Sequence, residues 1–171
     1  MPTTAGEIVI FDSTTWITLA VILVLLLLSA FFSGSETALT AASRGKLRAQ
    51  ADRKNRGAER ALALTEDSER LIGAILLGNN LVNILATSLA TSLFTSLFGD
   101  SGVVIATGIM TVLVLVFAEV MPKTYAITNA ELAATRVAMP VSIVVRLLAP
   151  VVSTVRLVVR LMLRIFGVRT D

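Results

Sequence analysis

The chain has 171 residues, of which 55% are hydrophobic and 16% charged, with a formal net charge of +3 and a mean hydropathy of +0.83. A soluble domain of this length needs more polar surface to cover its core, so the composition indicates an integral membrane protein. The sequence contains no cysteine and no histidine, which excludes disulfides, the usual zinc sites, thiol nucleophiles and imidazole acid–base chemistry.

Three long uncharged runs predict an all-α integral membrane fold with three transmembrane helices. Residues 13–35 carry no charge, and these 23 residues are enough to span about 30 Å of hydrocarbon. Residues 71–99 form the second span, and the third runs from 103 to about 125 after a tight turn at 99–102. Residues 1–12 are predicted to be an extracytoplasmic segment.

Two basic regions are predicted to lie outside the hydrocarbon. Residues 44–70 alternate basic and acidic side chains around a turn signal at 55–57, which predicts a helical hairpin in water. We prefer a plain cytoplasmic loop here over a binding site for anionic lipid. In residues 129–171, Pro140 and Pro150 are predicted to separate short amphipathic helices that form a belt in the cytoplasmic interface. A fourth span is the alternative for this region.

The distribution of basic residues predicts the orientation. All 15 lysines and arginines lie in two regions, eight in residues 44–70 and seven from Lys123 onward. By the positive-inside rule, the chain is a multi-pass protein of the cell membrane with its N-terminus outside and its C-terminus in the cytoplasm. The transmembrane core is expected to occupy residues 13–128. Apolar runs between the basic regions favour membrane lipids over nucleic acid as partners.

Each predicted span carries a polar cluster at membrane depth. These clusters are Ser33-Gly34-Ser35, Gly78-Asn79-Asn80-Leu81-Val82-Asn83 and Ala118-Glu119-Val120-Met121-Pro122-Lys123. A buried charge costs about 3 kcal/mol or more unless it finds a partner, which makes Glu119 a functional candidate. Pro122 has no N–H for the carbonyl of Ala118, so that oxygen needs another partner. The rise per residue places all three clusters at overlapping depths in the inner half of the membrane.

Oxygen atoms of these types are good ligands for a hard cation such as Mg²⁺ or Na⁺. Each cluster also has a simpler interpretation: helix packing around Gly34, interhelical hydrogen bonds by the asparagines, and a proton relay at Glu119. Lys123 either neutralises Glu119 or extends to the interface, and we prefer the second. Small hydroxyl residues at three- and four-residue spacing after Asn83 favour a helix–helix or dimer interface.

Three stretches closely resemble the transmembrane domain of the CNNM/CorC family. They are Phe32-Ser33-Gly34-Ser35-Glu36-Thr37-Ala38-Leu39, Gly78-Asn79-Asn80-Leu81-Val82-Asn83 and Ala118-Glu119-Val120-Met121-Pro122-Lys123-Thr124. The resemblance implies three transmembrane helices, an amphipathic belt, a homodimer and an association with magnesium transport. Family members usually continue into cytoplasmic CBS domains that bind ATP. The chain stops at Asp171 without them, which is expected of either a truncated chain or a membrane-only member. We favour truncation, and in either case we expect no ATP site in this sequence.

The resemblance also implies a set of cation ligands, which includes main-chain carbonyls. The candidates are Ser33, Gly34, Ser35, Asn79, Asn80, Asn83, Ala118 and Glu119. The expected function is Mg²⁺ transport through an inward-facing cavity, with efflux coupled to Na⁺ as an extension. The alternative is a non-transporting dimeric membrane anchor or regulator that senses Mg²⁺. An enzyme is not expected, because the sequence has no nucleophile–base pair, phosphate loop or paired carboxylates at membrane depth.

Overall fold

The structure, a computed structural model, describes residues 12–167, and all secondary structure within this range is helical. The helices are α1 (Ser13–Ala41), α2 (Arg44–Asp52), α3 (Arg56–Glu66), α4 (Ser68–Phe98), α5 (Gly102–Leu113), α6 (Met121–Thr128) and α7 (Ala130–Ile165). A 3₁₀ turn at Gly99–Ser101 joins α4 to α5, and a π-helix at Val114–Val120 joins α5 to α6. Of the predicted N-terminal segment, the structure describes only Asp12. Arg169 also lies outside the described residues.

Within residues 12–167, three helical stretches are long and apolar enough to cross a membrane: Ser13–Ala41, Ser68–Thr128 and Ala130–Ile165. The second is 61 residues long and folds into a hairpin, because α5 packs back along α4 after the 3₁₀ turn. The predicted spans therefore correspond to α1, to α4 and to the run from α5 to α6. The prediction of an all-α membrane domain is confirmed.

Polar side chains cap the N-termini of four helices, with a long bond of 3.5 Å at Ser43 before α2 and shorter bonds at the other three. Asp12, Asn55 and Asp67 each accept a hydrogen bond from a backbone N–H in the first turn that follows, at 2.7–3.2 Å. These bonds satisfy amides that have no partner inside the helix. At the start of α4, the N–H of Arg70 and the guanidinium of Arg156 hold the pKa of the Asp67 carboxyl below its usual value. Asp67 is therefore a charged cap at the point where α4 begins.

The predicted helical hairpin is formed by α2 and α3, which pack against each other. Its turn lies slightly earlier than expected, because Lys54 adopts a φ of 64° and Asn55 already caps α3. The hairpin is held close to α7 at Gly57, where a Cβ atom would clash with the carbonyl oxygen of Thr135. The charged region is thus part of the packed structure.

Helix α7 is continuous through Pro140 and Pro150, so the predicted division into short helices is wrong. Each proline removes one backbone hydrogen bond, but the helix has a small, buried face that packs on α1, α3 and α4. The buried residues recur at helical spacing: Ala130, Ala133, Ala134, Ala138, Val141, Val145 and Val152. Packing along this face keeps the two proline-containing turns in one helix.

Two points on α7, one near its start and one nine residues before its last residue, contact the same end of the α1–α4 pair. Near its start, Glu131 accepts a hydrogen bond from the Ser43 N–H at 3.4 Å and pairs with Lys46 at 3.1 Å. About 37 Å further along the helix, Arg156 pairs with Asp67 at 3.2 Å. Because Ser43 follows α1 and Asp67 precedes α4, α7 lies across this end of the spans. That placement is the geometry of a belt, although α7 is also long enough to cross.

Candidate functional site

Polar side chains from three spans meet at the carboxylate of Glu119. The Ser33 hydroxyl of α1 donates to Oε2 at 2.9 Å, and the Asn79 amide of α4 donates from Nδ2 to Oε1 at 3.1 Å. Ser33 is 1% exposed, and the Glu119 side chain is 26% exposed. Each carboxylate oxygen is therefore positioned by a neutral donor from a different helix, while part of the group stays accessible.

Asn79 links this carboxylate to further polar groups. Its Oδ1 accepts from the Ser29 hydroxyl at 2.8 Å and lies 3.5 Å from Nδ2 of Asn83, four residues later on the same face. Ser29 was not among the predicted site residues, although its position one turn before Ser33 in an apolar helix was an available signal. Oδ1 of Asn83 is buried and has no hydrogen-bond partner among the described residues. An acceptor oxygen therefore remains free beside the cluster.

Glu119 lies in the π-helix. The N–H of Met121 bonds to the carbonyl of Val116, five residues earlier, as the wider π turn requires. Pro122 follows immediately, and its ring clashes with the carbonyl four residues back in a regular α-helix. Gly34, by contrast, lies inside the regular helix α1. Among the spans within residues 12–167, the π-helix lies in the one that carries Glu119, and π-helical turns are frequent at functional sites.

The remaining candidate ligands lie around this cluster. Gly34 faces α6, where a Cβ atom would be 3.4 Å from Cβ of Pro122, so the glycine permits close helix packing. Ala118 is fully buried next to Glu119. Within the described part of the chain, no hydrogen bond joins Ser35 or Asn80 to the cluster: the Ser35 hydroxyl is buried without a partner, and Asn80 lines a separate groove. The structure thus brings Ser33, Asn79, Asn83 and Glu119 together.

Lys123 is an internal counter-ion for the site. Its Nζ lies 3.2 Å from Oε2 of Glu119, one helical turn away, so our preferred expectation that it extends to the interface is wrong. An unpaired carboxylate at membrane depth costs more than the lysine gains at the interface. The Lys123 side chain is 42% exposed, so its ammonium group is partly accessible to solvent.

The donor set defines the chemistry that the site can perform. Across residues 12–167, no group of three or more acidic, histidine or cysteine side chains is placed to hold a metal. A cation at this position would therefore have one carboxylate together with neutral hydroxyl and amide oxygens. Such a set suits a hard ion that keeps part of its water shell, as Mg²⁺ commonly does.

The fold and the cluster define an all-α membrane domain with an intramembrane carboxylate centre. The family model described as the cyclin M transmembrane N-terminal domain, CNNM, matches residues 20–171, and the chain belongs to this family. Each of the three stretches that carry the sequence resemblance contributes to the cluster, through Ser33, through Asn79 and Asn83, and through Glu119.

Relatives share part of the chain at moderate identity. The UPF0053 inner membrane protein YfjD of Escherichia coli strain K12 is 45% identical over 84 residues, which are 49% of this chain and 20% of that protein. A UPF0053 protein of Haemophilus influenzae is 43% identical over 101 residues, 58% of this chain and 24% of that protein. A chloroplastic DUF21 domain-containing protein of Arabidopsis thaliana is 39% identical over 93 residues, 54% of this chain and 14% of that protein. The aligned regions thus cover at most about a quarter of these relatives.

Proposed function

We propose that this chain is the membrane domain of a Mg²⁺ transport protein in which Glu119 binds the transported ion. The observation that carries this proposal is the placement of one intramembrane carboxylate between donors from two other spans, Ser33 at 2.9 Å and Asn79 at 3.1 Å. A carboxylate positioned at both oxygens is pre-organised for a ligand that replaces these contacts. Membership of the CNNM family supports a role in cation transport.

Ion binding requires small rearrangements of the cluster. The ammonium of Lys123 withdraws from Oε2 of Glu119, and the ion takes its place as the positive partner. The amide of Asn79 turns so that Oδ1 faces the ion in place of Nδ2. Ser33 keeps lone pairs available, and the free Oδ1 of Asn83 is a further neutral ligand. Water completes the octahedral shell that Mg²⁺ prefers.

The proposal includes the direction and setting of transport. Efflux from an inward-facing cavity, with Na⁺ as the coupling ion, follows from the family resemblance. The Escherichia coli relative is named an inner membrane protein, and we place this chain in the cell membrane as a homodimer. Exposed hydroxyl residues along α4, such as Ser88 and Ser92, support close contact with a second copy.

Flux through proteoliposomes tests the proposal. The chain is reconstituted with a Mg²⁺-sensitive dye inside the vesicles, and dye fluorescence is followed after external Mg²⁺ is added. We expect Glu119→Gln to reduce the flux about tenfold or more, because only neutral ligands remain. Asp100→Asn removes an exposed carboxylate in the turn between α4 and α5, and should transport normally. A chain that binds Mg²⁺ but supports no flux would be the sensing regulator, and transport would be excluded.

A further inference from the structure

A second feature of the molecule lies between α4 and the C-terminal third of α7. Here the two helices leave a groove of about 620 Å³, a size typical of small-molecule sites. Its walls are mainly apolar and include Ile72, Leu76, Leu77, Val155, Val159 and Leu163. The Glu119 side chain does not line this groove, so the feature is separate from the proposed ion site.

Polar groups in the groove are incompletely paired. Nη2 of Arg156 lies 3.2 Å from Oδ1 of Asp67, but its buried Nε makes no hydrogen bond and lies 3.7 Å from Oε1 of Glu69. In the described part of the structure, Arg160 has no ion-pair partner, and the exposed amide of Asn80 has no hydrogen bond. An apolar wall with a few unpaired polar groups is the usual composition of a ligand site.

The charge of the groove selects the kind of ligand. Arg156 is largely neutralised by its acidic neighbours, whereas Arg160 and, one turn later, Arg164 are exposed and lack acidic partners within residues 12–167. The guanidinium group binds phosphate through two parallel N–H donors. Basic residues beside a membrane span attract anionic lipids. The part of the groove that Arg160 lines is therefore suited to an anionic headgroup.

We propose that this groove binds one anionic phospholipid, with an acyl chain along the apolar wall and the phosphate at Arg160. The position of α7 supports this assignment, because the Arg156–Asp67 pair fixes the helix at the end of the spans, where headgroups lie. A zwitterionic lipid fits the apolar wall equally well, but it leaves Arg160 without a net countercharge. The ligand class is thus a phospholipid with a net negative headgroup.

Native mass spectrometry of the purified full chain tests this site. Phosphatidylglycerol and phosphatidylcholine with the same acyl chains are titrated separately, and the lipid-bound fraction is measured. We expect phosphatidylglycerol to bind more tightly than phosphatidylcholine. Arg160→Gln should weaken the binding of phosphatidylglycerol about fivefold. Arg146→Gln removes an exposed arginine of the same helix outside the groove and should bind normally. Equal affinity for the two lipids, or equal losses in the two variants, would overturn the proposal.

A second pair of variants tests the apolar wall. Leu76→Trp fills the groove from α4 and should weaken binding of both lipids, whereas Leu81→Trp places the same side chain on an exposed part of α4 outside it. Unchanged lipid binding by Leu76→Trp would overturn the site. If Leu76→Trp instead lost the mass of the dimer but kept the lipid, the groove would be a contact between two copies of the chain, and the proposal would also be overturned. Glu119→Gln should retain the lipid, so failure of the ion-transport proposal is distinguishable from failure of this one.

Discussion

The Ser33 hydroxyl donates a 2.9 Å hydrogen bond to Oε2 of Glu119, although 86 positions separate the two residues in the chain. Ser33 belongs to a regular α-helix and Glu119 to a π-helix, so the bond joins a regular span to an irregular one. Asn79 makes the corresponding bond from α4. An ion that binds Glu119 must therefore alter contacts with all three spans, which couples occupancy of the site to helix packing.

Removal of the internal counter-ion should strengthen ion binding. Lys123 pairs with Glu119 at 3.2 Å, and Mg²⁺ must displace its ammonium. Because the pair is partly exposed, its loss in Lys123→Met should tighten Mg²⁺ binding by about fivefold or less. Lys46→Met breaks the Lys46–Glu131 pair at 3.1 Å and is the matched control. Isothermal titration calorimetry in detergent measures both, and weaker binding by Lys123→Met would assign the lysine a supporting role.

Two adjacent asparagines should behave differently. Asn79 bonds to both Glu119 and Ser29, whereas the exposed Asn80 belongs to the lipid groove. Asn79→Ala removes one hydrogen-bond partner from each of Ser29, Asn83 and Glu119, so we expect a stability loss of about 1–2 kcal/mol and weaker Mg²⁺ binding. Asn80→Ala should leave both unchanged. Thermal unfolding and calorimetry make the comparison, and similar behaviour of the two variants would exclude a specific role for Asn79.

The contact between the charged hairpin and α7 should depend on one glycine. A Cβ at Gly57 would clash with the carbonyl oxygen of Thr135, so Gly57→Ala should destabilise the chain by about 1–3 kcal/mol. At Gly45, in the first turn of α2, the nearest neighbouring atom is the Ser43 hydroxyl at 3.9 Å. Gly45→Ala should be neutral or stabilise the chain by up to about 1 kcal/mol. Thermal unfolding in detergent measures both, and equal midpoints would show that the hairpin is loosely attached.

The spans and the central cluster could be predicted from sequence because both depend on local rules. Uncharged runs locate the three spans, and depth along each helix brings Ser33, Asn79 and Glu119 to one level. The four-residue spacing of Asn79 and Asn83 placed them on one face, as observed. These features need only hydrophobicity, helical geometry and the direction in which each span crosses the membrane.

Other features depend on tertiary packing and were not predictable in this way. Proline chemistry indicates broken helices, yet Pro140 and Pro150 lie inside one helix whose buried face holds it together. The π-helix ends just before Pro122, but the sequence does not show on which side of the proline the extra residue is accommodated. Lys123 was expected at the interface because lysine side chains commonly extend there. Its pairing with Glu119 depends on how deeply the carboxylate is packed, which the sequence does not show.

The most direct test of the central claim is Mg²⁺ binding by the intact chain and by Glu119→Gln, measured by calorimetry in detergent. The substitution keeps the size and hydrogen-bonding capacity of the side chain but removes its charge. We predict saturable binding by the intact chain and a loss of about tenfold or more in the variant, since a single carboxylate supplies the charge of the site. Equal affinities in the two proteins would contradict the assignment of Glu119 as the ion ligand.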